Sequence, residues 1–293
     1  MVTIRVPASS ANLGTGFDTL GLALQLYLSV TAYDTEGRAA LSFAEPDGGD
    51  LLHQAMAVVF SQAGLPVPKL KLEIKSQIPA GKGLGSSAAV IVAGLYLANH
   101  LLSYPFSEQQ LLNWALALEG HPDNIAPAVA GGLTTAMVLD GELFYQKVSL
   151  QDDLRVIIAV PDFTLPTGEA RRVLPEKVYW RDCVRHLQQA CFVMQSLATG
   201  DYRHLARAMD DEIVQPARQS LIPGLKEVIK TALQRGALGA ALSGAGPSVI
   251  ALADSNWEYI GSGMQEAFRD AGCQSRCLYL DIDHQGVQII KPY

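Results

Sequence analysis

"IPAGKGLGSSAAV", residues 78–90, sets three glycines and two serines among thirteen positions. The segment leading into it, "KLKLEIKSQI" (69–78), alternates apolar and polar residues as a half-buried strand does, and the run after it, "AAVIVAGLYLANHLL" (88–102), has the length and Ala-rich composition of a helix. A strand, a glycine turn and a helix start together make an anion site, because the first helical N–H groups lack partners and the macrodipole favours negative charge there. The plainer reading is a tight turn with Ser86 as the helix N-cap, yet this stretch uses more small residues than a turn requires. The G-x-x-x-x-G-K-[ST] phosphate loop does not fit, since Lys82 precedes the last glycines. Gly83, Gly85 and Ala88 formally give G-x-G-x-x-A, but no Asp or Glu occurs between Gly83 and Ser107 to hold a ribose, so dinucleotide binding is disfavoured.

The 293 residues are 49% hydrophobic and 17% charged, enough for a large core and two domains. A net charge of −7, with no run of Lys and Arg, argues against nucleic acid or an anionic membrane surface as a partner. Any bound anion must therefore be held by local geometry. "MVTIRVPASS" shows no basic segment leading into an apolar stretch, so the expectation is a cytoplasmic protein without a secretory signal. As a helix, residues 88–102 would span about 22 Å, too short for a ~30 Å hydrocarbon core. Cys183, Cys191, Cys273 and Cys277 lack the second cysteine pair or clustered histidines of a zinc site and read as free thiols.

Along the chain, "VTIRVPASS" (2–10) reads as a strand breaking into the loop "SSANLGTGFD" (9–18), followed by one or two strands in "LGLALQLYLSVTAYD" (20–34). Asp50, after the turn "PDGGD", is placed to cap a helix that Gly64 ends. In "FSEQQLLNWALALEG" (106–120), Ser107 and Gln110 form a capping box, Phe106 and Leu111 a staple, and Gly120 the stop. "LRVIIAVP" (154–161) is a buried strand and residues 175–235 are mostly helical. "GALGAALSGAGPSVIALAD" (236–254) reads as strand, turn, strand, before a helix over 256–271 and strands in "SRCLYLDI" and "VQIIK". The most plausible domain boundary lies at 151–153.

Three segments carry a family resemblance. "PAGKGLGSSAA" (79–89) resembles the P-x-x-x-G-L-G-S-S-A-A nucleotide loop of the GHMP kinases, "VPASSANLGTGFDTLGLAL" (6–24) their N-terminal substrate motif, and "ALSGAGPSVIAL" (241–252) their C-terminal glycine motif. The resemblance implies an α+β, two-domain GHMP kinase fold. A ribosomal-protein-S5-domain-2-like domain with a left-handed βαβ unit would occupy 1–152, a ferredoxin-like domain 153–293, with the active site between them. It further implies ATP along Pro79, Ala80, Gly81, Lys82, Gly83, Leu84, Gly85, Ser86, Ser87, Ala88 and Ala89, with the N–H groups of 83–87 around the triphosphate and Lys82 beside it as a cation. Mg²⁺ would be held by Ser87 (or Ser86) and Glu119. Glu119 ends its helix, where the dipole disfavours an anion and a metal would offset that; a merely solvated glutamate is the alternative.

The acceptor follows from the same resemblance. "TGEARRVLP" (167–175) matches the T-x-x-A-R-x-x-L-P segment of homoserine kinases, giving Thr167 and Arg171; "IVQPARQSLIPG" gives Arg218, and "GHPDNIAPA" gives His121 and Asn124. L-homoserine is a zwitterion, whose carboxylate suits guanidinium forks and whose ammonium suits a carboxylate. Asn12 and Asp18 would take its polar and ammonium end, and Gly244 and Gly246 would line the phosphate and substrate end. Asn124, Lys82 and Asp18 are the catalytic candidates. Where mevalonate and galactose kinases can use an Asp base, Asn124 is an amide without useful basicity, so it would only orient the hydroxyl, with deprotonation late and onto the γ-phosphate. His121 reads as structural rather than as a base. The implied activity is MgATP-dependent phosphorylation of homoserine in threonine synthesis, and the resemblance also carries the expectation of a homodimer; the rivals are another small-molecule GHMP kinase and a catalytically silent regulator.

Overall fold

The computed structural model describes residues 1–33, 49–148, 150 and 154–290. The turn at 46–48, the Asp50 side chain expected to cap a helix, and the expected boundary between 1–152 and 153–293 all fall outside the described residues. In chain order the elements are β1 (Val2–Asn12), β2 (Gly16–Tyr33), α1 (Gly49–Gln62), β3 (Lys71–Ser76), α2 (Ser86–Leu101), α3 (Glu108–Glu119), α4 (Ile125–Ala130), β4 (Leu133–Leu139) and β5 (Glu142–Val148). There follow β6 (Arg155–Pro161), α5 (Thr167–Arg172), α6 (Trp180–Thr199), α7 (Leu205–Ala208), α8 (Val214–Arg218), α9 (Leu225–Gln234), β7 (Gly239–Leu242), β8 (Val249–Ala253), α10 (Trp257–Asp270), β9 (Ser275–Leu280) and β10 (Gln288–Ile290).

β1 does not break at Ser10. It continues to Asn12 and turns through three residues into β2, which is one strand of 18 residues rather than two. The reason is pairing: Ala8 to Ala11 lie opposite Leu24 to Gly21, so the polar Ser9 and Ser10 stay in the ladder and are wholly buried. The first sheet runs β10-β1-β2-β4-β5, with β3 also pairing β2. Because β3 and β4 are both antiparallel to β2, they are parallel to one another, and α2, α3 and α4 lie in the crossover between them. α2 is apolar nearly all round and buries Ile91, Leu95 and Leu97 to 1% exposure or less, as expected of a helix at the centre of a core.

The second sheet runs β7-β8-β6-β9, all antiparallel. Numbered by their order along the chain, these strands stand 4-1-3-2 from β9, and the connections are β-α-β-β-α-β, the ferredoxin-like arrangement. Apart from Arg155, "LRVIIAVP" is buried because β6 faces two cores. Val156, Ile158 and Val160 join the large core shared with the first sheet, while Ile157 and Ala159 pack under α9 and α10 with Val228, Met264 and Phe268. β10 returns to pair with β1, so the end of the chain stitches the second half to the first sheet. The capping box at Ser107–Gln110 forms, and Gly120 ends α3 in the left-handed conformation.

Candidate active site

Residues 81–85 lead from β3 to α2 with their carbonyls turned away from the cleft beside them. Gly81 O accepts from Leu165 N–H (3.2 Å), Lys82 O from Ser248 N–H (3.4 Å), Gly83 O from the Ser243 hydroxyl (2.7 Å) and Leu84 O from Ser9 N–H (3.2 Å). No described residue accepts from the N–H groups of Gly83, Leu84, Gly85, Ser86 or Ser87. Four acceptors are thus tied behind the loop, and the donors of the same segment are left for a ligand. Glycine is required at two positions. With φ +72 at Gly83, a Cβ would lie 2.2 Å from the Ser243 carbonyl oxygen, and with φ +67 at Gly85 it would lie 2.1 Å from Ser9 Oγ. Gly85 is itself the N-cap of α2 and no side chain caps the helix, so Ser86 is not the N-cap and the first turn keeps its free N–H groups.

Lys82 departs from the expectation of a cation beside the triphosphate. Its Nζ donates to Pro161 O (2.8 Å) and Phe163 O (2.6 Å), at the end of β6, and burial pushes its ammonium below the usual lysine range. The side chain ties the glycine loop to the second sheet.

Across the cleft, Arg171 meets Asp18 in a two-pronged pair, Nη2 to Oδ1 at 2.6 Å and Nη1 to Oδ2 at 3.1 Å. Asn12 supports the turn: its Oδ1 accepts from Asp18 N–H (3.0 Å) and its Nδ2 donates to Gly244 O (3.0 Å). Arg218 is 1% exposed, donating from Nε to Ala170 O (3.0 Å) and from Nη1 to Gly244 O (2.9 Å). Among the described residues no carboxylate lies within ion-pair distance of it. Burial, and then the charge of Arg171, bring its guanidinium down to about 10. Both arginines stand over the Phe17 ring, at 5.4 and 5.6 Å from its centroid.

A chain of polar contacts joins the loop to α4. The Ser87 hydroxyl donates to Glu119 Oε1 (2.6 Å), which lies 3.8 Å from His121 Nε2; His121 Nδ1 lies 3.1 Å from Asp123 Oδ1, and Asn124 Nδ2 reaches the same oxygen at 3.5 Å. The Glu119 side chain is only 7% exposed, so it is no solvated glutamate, and burial raises its pKa despite the Ser87 hydrogen bond. Burial alone would lower the His121 pKa, but the Asp123 hydrogen bond and the charges of Asp123 and Glu119 outweigh it and the net direction is up.

These residues line one open cleft of about 980 Å³, counting its mouth. Comparison with known proteins bears on what it is. The family model described as the GHMP kinases N terminal domain matches residues 50–132, and that described as GHMP kinases C terminal matches 193–269. Homoserine kinase of Clostridium beijerinckii is 38% identical over 297 residues, covering 99% of each chain. The chain belongs to the homoserine kinase family of the GHMP kinases. Homoserine kinase of Desulfitobacterium hafniense is 37% identical, covering 99% of this chain and all of its own. The crystal structure of homoserine kinase from Cytophaga hutchinsonii superposes with a TM-score of 0.84 at 30% identity, covering 99% of this chain and 97% of that one. A mevalonate kinase with a TM-score of 0.72 at 14% identity shares the fold.

Set against this homoserine kinase framework, the cleft brings together Asn12, Asp18, Ala80, Gly81, Lys82, Gly83, Leu84, Gly85, Ser86, Ser87, Glu119, His121, Asn124, Thr167, Arg171, Arg218 and Gly244. It does not bring Pro79, Ala88, Ala89 or Gly246 to its wall. Ala88 and Ala89 are wholly buried in the core, because they start the inward face of α2, and Gly246 lies behind the loop, its N–H on Ser243 O (2.9 Å). Sequence reasoning passed over Phe17 and the buried Ser9 and Ser243, and weighed Asp123 only as the group whose reach to the substrate hydroxyl would displace the late-deprotonation reading. Phe17 and Asp123 sit beside chosen residues in "TGFD" and "HPDN"; the two serines carried no signal beyond membership of their motifs.

Proposed function

We propose that this protein transfers the γ-phosphoryl group of ATP to the side-chain hydroxyl of L-homoserine, giving ADP and O-phospho-L-homoserine, a step toward threonine. One observation carries the acceptor: Arg218 is a buried guanidinium without an anionic partner among the described residues, beside an Arg171–Asp18 pair. A buried unpaired charge is costly, and an amino-acid carboxylate would relieve it. The Asp18–Arg171 pair already has the polarity of a zwitterion's two ends, and an entering acceptor exchanges it for its own ammonium on Asp18 and its carboxylate on Arg171 and Arg218.

On the other wall, the open N–H groups of 83–87 would take the phosphate oxygens. Ser87 and Glu119 offer a hydroxyl and a carboxylate, hard oxygen donors suited to Mg²⁺, and a cation there would favour the ionised form that burial of Glu119 disfavours. Bound Mg²⁺ supplies charge neutralisation on the phosphates. The acceptor oxygen bonds to the γ-phosphorus as the bond to the β–γ bridging oxygen breaks, and the hydroxyl proton passes to the transferred phosphoryl group, Asn124 having no basicity to take it. Lys82, held by two carbonyls, stays out of this step.

The same reading includes a homodimer, for which Trp180, Leu187 and Phe192, exposed along α6, offer apolar surface. It also includes a cytoplasmic location, supported by four free cysteines and by the absence, among the described residues, of any helix long and apolar enough to cross a membrane. Coupled ADP release over homoserine, mevalonate, galactose and serine tests the function. Homoserine should give the highest kcat/KM; preference for mevalonate or galactose, or ATP binding without turnover, would overturn it.

A further inference from the structure

The Ser9 hydroxyl plays no part in the proposed chemistry, yet it is wholly buried and lies against Asn124. Ser9 Oγ is 2.8 Å from Asn124 Oδ1, while Asn124 Nδ2 reaches Asp123 Oδ1 at 3.5 Å. The Asp123 carboxylate is acceptor-only when ionised, so the NH₂ end of the amide must face it and the oxygen must face the hydroxyl, which can donate. Those two neighbours fix which way the carboxamide points. Asn124 Oδ1 thereby has one of its two acceptor sites taken by the buried Ser9 hydroxyl, and most of the spare capacity of this cleft-lining side chain lies in its two N–H donors, only one of which has even a long contact among the described residues. The pair exists because Gly85 has no Cβ: one would stand 2.1 Å from Ser9 Oγ and 2.9 Å from Asn124 Oδ1. The last glycine of the loop therefore serves the acceptor side as well as the phosphate side.

We infer that Ser9 is a positioning residue, whose hydroxyl holds the Asn124 carboxamide with its NH₂ end available to the substrate, so that Asn124 donates to the reacting hydroxyl oxygen rather than accepting from it. This rests on the phosphoryl-transfer reading above. A donor at that oxygen fixes its approach to the γ-phosphorus while leaving one lone pair in line, an orientation effect that is read in kcat.

The test is a double-mutant cycle. Ser9→Ala should lower kcat about 10-fold, and Asn124→Ala about 100-fold, each with KM for homoserine changed less than about 3-fold. Because Ser9 acts through Asn124, the double variant should match Asn124→Ala within about 2-fold. Losses that multiply, or an unchanged kcat in Ser9→Ala, would overturn the proposal. Should the alanine variant not fold, Ser9→Cys, which keeps a weak donor, runs the same cycle with a smaller loss that must again vanish when Asn124 is absent. A readout independent of turnover separates this from failure of the kinase reading. The side-chain NH₂ signals of Asn124, identified by their disappearance in Asn124→Ala, should shift or broaden in the Ser9 variant whichever alcohol is phosphorylated. Signals that do not move overturn the positioning role even if homoserine proves to be the acceptor.

Discussion

The two walls of the cleft are built in opposite ways. The wall proposed for the phosphates is main chain: five consecutive N–H groups from residues 83–87, to which no described residue offers an acceptor, while the four carbonyls of 81–84 are each bonded elsewhere. The wall proposed for the acceptor is side chain: Asp18 from β2, Arg171 from α5 and Arg218 from α8, with the first two bonded to one another and the third buried without a counter-charge among the described residues. A main-chain wall is rigid and indifferent to what is beyond the phosphates, which suits a group common to every substrate pair. A side-chain wall can open, exchange partners and differ between relatives, which suits the part that selects.

The contrast can be broken most severely at Gly83. Gly83→Ala places a Cβ on the Ser243 carbonyl in a left-handed conformation, so thermal unfolding should show a loss of roughly 3 kcal/mol and turnover should fall at least ~100-fold. A fully active, stable variant would mean that the loop yields. Arg218→Met tests the other wall and should separate function from stability. KM for homoserine rises about 100-fold, the loss of charge-assisted hydrogen bonds worth roughly 3 kcal/mol, while KM for ATP holds and urea unfolding shows equal or greater stability, since a desolvated charge has gone. Lys82→Met sharpens the boundary between the walls: with its ammonium on Pro161 O and Phe163 O, the variant should lose about 1–2 kcal/mol of stability and change KM for ATP less than about 5-fold. A rise near 100-fold in KM for ATP would return Lys82 to the phosphates. The smallest effect is in pH. Arg218 is brought down to about 10, so the folded state carries the full cost of its charge below that value, and the cost fades as pH rises toward the unfolded pKa. The stability advantage of Arg218→Met over the parent should therefore be level from about pH 6 to 9 and shrink above about 10, as denaturant midpoints would show.

How much of this could be read from the chain follows the same division. The glycine loop is local, so strand, small residues and helix start stand together in thirteen letters, although the contacts that require glycine at 83 and 85 come from Ser243 and Ser9, far away in the chain. The acceptor wall gathers residues 153 and 47 positions apart, and only the resemblance named Asp18, Arg171 and Arg218 as partners; nothing in the spacing foretold that the first two would bond to each other. Lys82 reads as a phosphate ligand because it is a cation inside a phosphate-binding pattern; that its ammonium donates to Pro161 O and Phe163 O, some 80 residues on, is a contact no local pattern announces. Ser10 stands where the strand of 2–10 was expected to break into a loop, but within β1 its hydroxyl meets that of Ser243 at 2.8 Å, a pairing visible only in three dimensions.

The four tethers behind the loop have one more implication. Leu165, Ser248, Ser243 and Ser9 grip successive oxygens from three separate stretches of chain, so no single peptide there can rotate without breaking its own grip and straining the next. The cradle is a cast mould rather than a hinge. Insertion or deletion of one residue between 81 and 84 would break the register of these grips, and on the proposed placement of the phosphates the spent nucleotide would leave by sliding out past its surroundings, not by the mould letting go.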